Sequence, residues 1–290
     1  MFMEKSVPKP FMKWAGGKSK LVQRITARLP AYMPTYHEPF LGGGATLFEL
    51  ARQGRFKKAI VSDANPELVA LWTVVQRNVD GLIRELSDRK KYAYSKDRYL
   101  EIRGYANSDM SDIQAAARTL YLNKTCFNGL YRVNRLGEFN VPFGRYVNPT
   151  ICDEAGLRSA SRALANVTIL NKDFEKACKD ARPGDGVYFD PPYIPASFTS
   201  KFTSYTASGF RIDEHERLAS LFGTLARSGV RVVLSNSMTK DTLRLYGKYD
   251  RDEILGSRNV GGPASYRNPA KEVIVFAGPL STSEVVSATA

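Results

Sequence analysis

Four residues after a short apolar run have the types needed to hold a planar amine. The run at 187–189 is followed by Asp190-Pro191-Pro192-Tyr193. The prolines lack N–H donors, so this backbone offers carbonyl oxygens that only accept hydrogen bonds. An ionised Asp190 also only accepts, and Tyr193 has a flat face. Asp190 and the Pro191 carbonyl can each accept one N–H of a ring-bound NH2 group while Tyr193 stacks on the ring.

Such a cradle would change the reactivity of the amine. The lone pair of a ring-bound NH2 group is delocalised into the ring, which makes the nitrogen a poor nucleophile. Holding both hydrogens to one side favours a pyramidal nitrogen whose lone pair can face an electrophile. The alternative interpretation of the tetrapeptide is a stiff turn at a strand end, which Asp-Pro often makes.

A glycine-rich turn near the N-terminus is a second candidate. Gly42-Gly43-Gly44 lies between a predicted strand and a predicted helix, and Asp63 ends the next strand 21 residues after Gly42. Glycine lets the backbone approach a ligand, and a carboxylate at about this distance can bind ribose hydroxyls. Leu47 stands at the third glycine position of the dinucleotide-binding fingerprint, which is therefore broken. A nucleoside-containing cofactor and a simple tight turn both remain open.

Charge and aromatic residues point to nucleic acid. The chain has 42 Lys+Arg against 29 Asp+Glu and a net charge of +13. Basic groups follow a phosphate backbone while aromatic and amide groups meet bases. The segment 120–146 mixes both kinds of side chain, although a small aromatic core of its own would explain the pattern equally well. Its basic and aromatic residues are Lys124, Arg132, Arg135, Arg145, Tyr121, Phe127, Tyr131, Phe139, Phe143 and Tyr146.

Composition excludes several classes of protein. The 290 residues are 43% hydrophobic, which is typical of a globular chain, and no apolar run is long enough to span a bilayer. The N-terminus lacks the pattern of a signal peptide. Three dispersed cysteines and two histidines fit neither a disulfide framework nor a metal site. We expect a cytoplasmic protein without a metal.

Strands alternate with helices, which predicts an α/β fold with a mostly parallel sheet. Two late β runs are close enough to pair antiparallel. The predicted strands are 36–40, 59–62, 167–170, 187–189, 232–234, 249–255 and 272–276. The predicted helices are 45–52, one that begins at Pro66, one near 111–124, and 213–226.

The motifs taken together resemble those of Dam-type DNA adenine N6-methyltransferases, which use S-adenosylmethionine. The resemblance covers roughly residues 10–277 and keeps the order of the family's motifs. It implies a Rossmann-like methyltransferase sheet with an antiparallel C-terminal hairpin. The matching segments are 11–18, 38–44, 62–65, 121–123, 128–132, 137–146 and 190–193.

The resemblance also implies a division of the chain. Residues 1–79 and 166–280 would bind the cofactor and catalyse the reaction, with S-adenosylhomocysteine as the product. Residues 80–165 would form an inserted, mainly helical target-recognition domain, and 281–290 a flexible tail. Double-stranded DNA would be the partner of a monomer that needs no other protein.

Roles around the cofactor and the target base follow from the same resemblance. Asp63 would hold the ribose or adenine side of the cofactor, and Phe174 would pack on its adenine. Asp190, Pro191, Pro192 and Tyr193 would take the target adenine after it leaves the duplex. The residues implied to surround the cofactor are Trp14, Ala15, Gly16, Lys18, Phe40, Gly42, Gly43, Asp63, Asp173, Phe174 and Asp190.

The recognition segment is similar to that of enzymes that read GATC. Lys13 would contact the first guanine, and Phe127 with Asn128 would fill the space left by the adenine. Three residues would contact the later base pairs, Tyr146 a phosphate, and the loop 202–205 the DNA strand. Those three residues are Leu130, Arg132 and Pro142.

The chain departs from the family pattern at a few positions. Arg135 and Leu136 are transposed relative to close relatives, and Phe127 stands where tyrosine is common. The segment 257–259 follows the family only loosely. Other interpretations are a cytosine-N4 or RNA amino-methyltransferase and a catalytically silent DNA-binding relative. Because the cytosine enzymes commonly have serine at the position of Asp190, the sequence favours adenine.

Overall fold

The computed structural model describes residues 7–106, 109–194, 210–255 and 271–280. The loop 202–205, the segment 257–259 and the tail 281–290 lie outside the described residues. Helices are α1 (Val22–Thr26), α2 (Ala45–Arg52), α3 (Pro66–Arg77), α4 (Val79–Leu86), α5 (Lys96–Gly104), α6 (Asp112–Thr125), α7 (Glu154–Ala163), α8 (Phe174–Cys178), α9 (Ile212–Arg227) and α10 (Lys240–Tyr246). Strands are β1 (Met33–Glu38), β2 (Phe56–Ser62), β3 (Val167–Leu170), β4 (Gly186–Phe189), β5 (Arg231–Ser237), β6 (Asp250–Leu255) and β7 (Lys271–Ala277).

The strands form one seven-stranded sheet in the order β3-β2-β1-β4-β5-β7-β6. The first five of these strands pair in parallel. Strand β7 runs antiparallel to both of its neighbours, β5 and β6. The predicted fold class, a mostly parallel Rossmann-like sheet with an antiparallel C-terminal pair, is therefore confirmed.

Side chains along the central strands β4 and β5 alternate between two apolar cores, one on each face of the sheet. Tyr188 and Val233 pack into a core with α2, α3 and α6, whereas Val187 and Val232 pack with α9 on the other face. This pattern arises because successive side chains of a strand point to opposite sides of the sheet. A strand covered on both faces tends to be apolar on both sides, as in the runs 187–189 of β4 and 232–234 of β5.

Capping residues and prolines explain where helix α3 begins and where strand β1 ends. Helix α3 begins as predicted, because Asn65 accepts hydrogen bonds from two N–H groups of its first turn and Pro66 occupies the first helical position. Strand β1 spans Met33–Glu38 rather than the predicted 36–40. It ends before Pro39, which has no N–H to donate to a neighbouring strand.

The central helices are continuous with the core of the sheet. Tyr99 of α5 and Tyr121 of α6 belong to the same buried cluster as Trp72 of α3 and Tyr36 of β1. The division of the chain at residues 80 and 165 stays a prediction. Apolar packing extends across both of these boundaries. None of the helices in the described ranges is long and apolar enough to cross a membrane.

Candidate active site

Two paired strands bring the predicted motifs to one place. The glycine turn follows β1 and the tetrapeptide 190–193 follows β4, and His37 of β1 lies opposite Val187 of β4. From this pair the sheet continues through β2 and β3 on one side and through β5, β7 and β6 on the other. Because the strand order reverses here, a crevice is expected at the carboxyl ends of β1 and β4, where open α/β sheets bind ligands.

Asp190 is held by two donors at this crevice. Lys18 Nζ lies 2.8 Å from Asp190 Oδ1, and Ser235 Oγ donates to the same oxygen at 2.7 Å. The Lys18 ammonium also donates to the Gly16 carbonyl and lies 4.6 Å from the centre of the Tyr193 ring. Lys18, which the resemblance assigns to the cofactor, therefore also contacts two residues of the tetrapeptide.

The tyrosine of the tetrapeptide is fixed at its hydroxyl end. Tyr193 OH donates to Glu272 Oε2 at 3.0 Å. Burial, with the negative charges of Asp190 and Glu272, raises the pKa of Tyr193. The phenol is therefore neutral, and Glu272 holds its hydroxyl end in place. Pro191 is buried and Pro192 exposed, so the two prolines face different surroundings.

A buried acid lies near Asp190. Glu38, at the end of β1, is 2% exposed, and Tyr36 OH donates to its Oε2 at 3.0 Å. Burial, with a contribution from Asp190, raises the pKa of Glu38 well above its usual value. Burial and the neighbouring Asp190 therefore favour the protonated form of Glu38.

Several residues around the tetrapeptide were not identified from the sequence. Ser235 holds Asp190, Glu272 holds Tyr193, and Asn236 Oδ1 accepts the N–H of Ile194 at 3.0 Å. A usable signal was the polar run 235–237, which directly follows an apolar strand. Polar side chains inside a buried strand need partners, so such a run indicates a hydrogen-bonded site.

The glycine turn is tied to Asp63 and to two tryptophans. Gly42 N–H donates to Asp63 Oδ2 at 2.9 Å, and Trp72 Nε1 donates to the Gly42 carbonyl at 3.1 Å. Gly42 and Gly44 have positive φ angles. A Cβ at Gly42 would lie 2.8 Å from Trp14 and one at Gly44 2.6 Å from Trp72. Backbone conformation and tryptophan packing together account for these two glycines.

Asp63 ends β2 beside this turn. Its second oxygen, Oδ1, accepts the N–H of Asn65 at 3.0 Å. Burial raises the pKa of Asp63 despite these N–H donors. Each carboxylate oxygen can accept more than one hydrogen bond, so Asp63 can hold the turn and bind a hydroxyl at the same time.

Aromatic rings pack beside the glycine turn. Phe40 stacks on Phe174 with the ring centres 5.7 Å apart, and Phe210 lies 5.6 Å from Phe40. Phe174 is only 3% exposed, and Arg217 lies 5.0 Å from its ring centre. Asp173 caps α8 and contacts Arg217 at 3.3 Å. Both predicted cofactor residues of this region, Asp173 and Phe174, therefore already have protein partners.

An asparagine joins the N-terminal segment to the recognition segment. Asn123 Oδ1 accepts the N–H of Lys13 at 3.0 Å, and its Nδ2 donates to the carbonyls of Lys13 and Gly129. Gly129 has a φ of 62°, and a Cβ there would lie 2.5 Å from Lys13. Lys13 is therefore adjacent to the predicted base-replacing residues, although 115 positions separate Lys13 from Asn128 in the chain.

The predicted base-replacing residues are exposed. Phe127 is 49% exposed and its N–H donates to the Pro142 carbonyl at 2.8 Å. Asn128 has a φ of 55° within a short 3-10 helix. Lys13 Nζ lies 4.4 Å from the Tyr146 ring centre. The structure thus brings these predicted DNA contacts together on one surface.

A short hairpin carries the predicted base-reading arginine. Arg132 Nε donates to Asn140 Oδ1 at 2.7 Å, and Arg132 Nη2 donates to the Asn140 carbonyl at 3.1 Å. Leu130 is partly buried against the core. Tyr131 stacks on Trp14 with the ring centres 5.6 Å apart. Because Trp14 also packs on the glycine turn, this stacking connects the hairpin to the predicted cofactor side of the crevice.

The chain is similar to a family of DNA methyltransferases and to proteins named as methyltransferases. Residues 14–258 match the family described as D12 class N6 adenine-specific DNA methyltransferase. The chain is 42% identical to the type II methyltransferase M.MjaIII of Methanocaldococcus jannaschii, over 87% of this chain and 92% of the relative. It is also 42% identical to the type II methyltransferase M1.LlaDCHI of Lactococcus lactis, over 92% of this chain and 94% of the relative.

A third relative carries the name used for the predicted family. The chain is 31% identical to the DNA adenine methylase of Vibrio cholerae, over 94% of this chain and 98% of the relative. The resemblance inferred from the motifs is confirmed, and neither cytosine nor RNA methylation is favoured. The chain belongs to the D12 class of N6 adenine-specific DNA methyltransferases.

Proposed function

We propose that this enzyme transfers a methyl group from S-adenosylmethionine to N6 of an adenine flipped out of double-stranded DNA, within the sequence GATC. The observation that carries the proposal is the contact of Lys18 with Asp190 and Tyr193. A nitrogen donor already lies 2.8 Å from the carboxylate and 4.6 Å from the aromatic ring centre. A base amine on the same two groups would meet the same acceptor and the same flat face.

The residues at the crevice fit a nucleoside-bearing methyl donor. Asp63 retains lone pairs for ribose hydroxyls while it holds the Gly42 N–H. Gly42 and Gly43 are partly exposed beside Trp14, and Ala15 and Gly16 are exposed. S-adenosylmethionine supplies an electrophilic methyl group on a positively charged sulfur. We assign the remaining predicted cofactor residues to the same side of the crevice: Lys18, Phe40, Asp173, Phe174 and Asp190.

The tetrapeptide orients the nucleophile. Asp190 and the Pro191 carbonyl accept the two hydrogens of the adenine amine, Tyr193 supports the ring, and Pro192 stiffens the turn. Asp190 acts as an acceptor rather than as a strong base, since the nitrogen can lose its proton after attack. For the base to enter, Lys18 must move from the Tyr193 face or share Asp190 with the amine. Holding two reactants in one geometry is the main contribution of the protein.

In this proposal residues 80–165 read the bases, residues 1–79 and 166–280 catalyse the reaction, and Lys13 of the catalytic part also contacts DNA. Lys13 and Arg132 contact guanines, Phe127 and Asn128 replace the flipped base, and Leu130 and Pro142 meet the later base pairs. The Arg132 guanidinium suits guanine because it can donate two hydrogen bonds to O6 and N7. Tyr146, beside Lys13, contacts a phosphate. The enzyme is a monomer in solution, located in the cytoplasm and associated with the nucleoid through DNA.

A random-sequence duplex library tests the whole proposal. The library is incubated with S-adenosylmethionine carrying a labelled methyl group, and N6-methyladenine is mapped together with its flanking bases. We expect label on adenine N6, enriched at GATC. Label on cytosine N4 would overturn the base assignment, and enrichment at another sequence would overturn the site assignment alone. No transfer from this donor to any duplex would overturn the assigned donor and reaction.

A further inference from the structure

Two buried hydroxyls lie directly behind Asp190. Ser235 of β5 is 0% exposed and Tyr188 of β4 is 1% exposed. Ser235 Oγ lies 2.7 Å from Asp190 Oδ1 and 2.8 Å from Tyr188 OH. A serine and a tyrosine hydroxyl at such depth need partners, and here they partner each other and the carboxylate.

The direction of this chain of hydrogen bonds follows from counting hydrogens. A serine hydroxyl has one hydrogen and two lone pairs. Ser235 gives its hydrogen to the Asp190 carboxylate, so it must accept from Tyr188. Burial, with the charge of Asp190, raises the pKa of Tyr188, which keeps the tyrosine protonated as a donor. The bonds therefore run from Tyr188 to Ser235 to Asp190.

The sheet prevents Ser235 from moving. In the parallel β4–β5 pair, Phe189 lies opposite Leu234, so the next residues, Asp190 and Ser235, are neighbours at the end of the ladder. On its other side Ser235 pairs with Ile274 of β7. A serine with strands on both sides has a fixed backbone, and its hydroxyl provides a fixed point for the carboxylate.

We propose that Ser235 and Tyr188 are positioning residues for methyl transfer, which fix the Asp190 carboxylate so that Oδ2 faces the adenine amine. In the described part of the chain both contacts of this carboxylate, from Lys18 and Ser235, fall on Oδ1. A carboxylate clamped at one oxygen cannot rotate freely about its side-chain torsion. This proposal rests on the function proposed above.

Single-turnover methyl transfer to duplex DNA with labelled S-adenosylmethionine tests the proposal. We expect Ser235→Ala to slow the transfer step by about 10- to 100-fold, the usual range for a hydrogen bond to a charged group. The Kd values for the duplex and the cofactor should stay within about twofold, since Ser235 is fully buried. Ser235→Thr, which keeps the hydroxyl, should recover most of the rate.

A double-mutant cycle separates positioning from general loosening. Tyr188→Phe should slow transfer less than Ser235→Ala, and in the Ser235→Ala background it should add nothing, because its effect passes through Ser235. Tyr246→Phe is the matched control. Tyr246 is equally buried, but its hydroxyl lacks a hydrogen-bond partner among the described residues, so this variant should keep the wild-type rate.

The possible results distinguish this proposal from the function on which it rests. A wild-type rate for Ser235→Ala, while Asp190→Ala is inactive, would overturn the positioning role alone. Equal slowing in Ser235→Ala and Ser235→Thr, with weaker binding of duplex and cofactor, would also overturn it, because packing alone would then explain the loss. An Asp190→Ala variant as fast as wild type would overturn the proposed function itself.

Discussion

The crevice and the hairpin 126–143, which we propose for base recognition, hold their side chains in opposite ways. At the crevice, residues from three strands and the N-terminal segment share hydrogen bonds, and Lys18 is only 7% exposed. In the hairpin, isolated bridges replace a continuous ladder, and Leu136 at its tip is 81% exposed. The proposed methyl transfer needs reacting groups that a packed sheet holds in place. The proposed base reading needs side chains that extend outward from the protein surface.

In the exposed hairpin, asparagine side chains form the hydrogen bonds that order the chain. Asn134 Oδ1 accepts the N–H groups of Leu136 and Glu138 at 2.9 and 3.0 Å. Asn140 holds Arg132. Such local bonds from side chain to backbone order a loop that has no core of its own. The hairpin is therefore arranged before DNA binds, although fewer contacts hold each residue.

The largest expected effect lies at the crevice. Asp190→Ala should reduce the methyl-transfer rate at least about 1,000-fold, because the amine loses its acceptor and its orientation. Duplex affinity in a filter-binding assay should stay within about twofold. Asp180→Ala is the control, because that carboxylate is exposed away from the site. If Asp190→Ala kept a tenth of the rate, the crevice would not position the chemistry.

Lowering the pH should reduce the free energy of unfolding, because the histidines of the packed core are buried. Burial lowers the pKa of His215 to about 4. Between pH 6.5 and 4 the unfolded chain binds a proton that folded His215 does not, so the free energy of unfolding decreases as the pH falls. The loss from this residue reaches about 3 kcal/mol at most, at 1.36 kcal/mol per pKa unit.

Urea unfolding at pH 7.5 and 4.5 measures this effect. His215→Phe should lose less stability on acidification than wild type. A remaining decrease is expected from His37, which is also buried with a lowered pKa. An unchanged pH dependence in the variant would show that His215 is not the group responsible.

Changes in the hairpin should affect choice of sequence rather than chemistry. Arg132→Ala should lose about 1 to 3 kcal/mol of discrimination at one base pair, with the transfer rate on the preferred site less affected. Competition between preferred and singly altered duplexes measures this discrimination. Arg145→Ala, which removes an exposed cation of the same segment, should weaken binding to all duplexes alike and reduce its salt dependence. Equal discrimination in Arg132→Ala and wild type would remove Arg132 from base reading.

The smallest effect should come from the partner of that arginine. Asn140→Ala frees the Arg132 guanidinium, so discrimination should fall by about 1 kcal/mol or less, the net value of a neutral hydrogen bond. The same competition assay applies. In the Arg132→Ala background, Asn140→Ala should have no further effect. An additional loss there would mean that Asn140 acts on DNA by itself.

Patterns within short segments predicted most of the fold. The predicted helix 45–52 and strand 167–170 match the observed bounds of α2 and β3. Pro66 marked the start of α3, because proline at a first helical position is a local preference. Helices α1, α8 and α10 were not predicted, since five to seven residues carry too little periodicity. The longer helices α4, α5 and α7 were not predicted either.

The candidate site was predictable only in part. The tetrapeptide 190–193 and the glycine turn could be recognised from the sequence, since the residues of each motif are next to one another in the chain. The partners of the tetrapeptide do not: Ser235 is 45 residues from Asp190, and Glu272 is 79 residues from Tyr193. Such pairs depend on which strands become neighbours, and a single sequence does not contain that information.

The amino-acid sequence by itself determined the positions of the strands and the family, because residue types and local spacing carry these properties. Tertiary structure alone decided that Lys18 contacts Asp190 and Tyr193, that burial raises the pKa of Glu38, and that Lys18 and Ser235 both bind the same oxygen of Asp190. The physical reason is that burial and atom-to-atom distances arise from the packing of strands β1, β4 and β5, which are far apart in the chain.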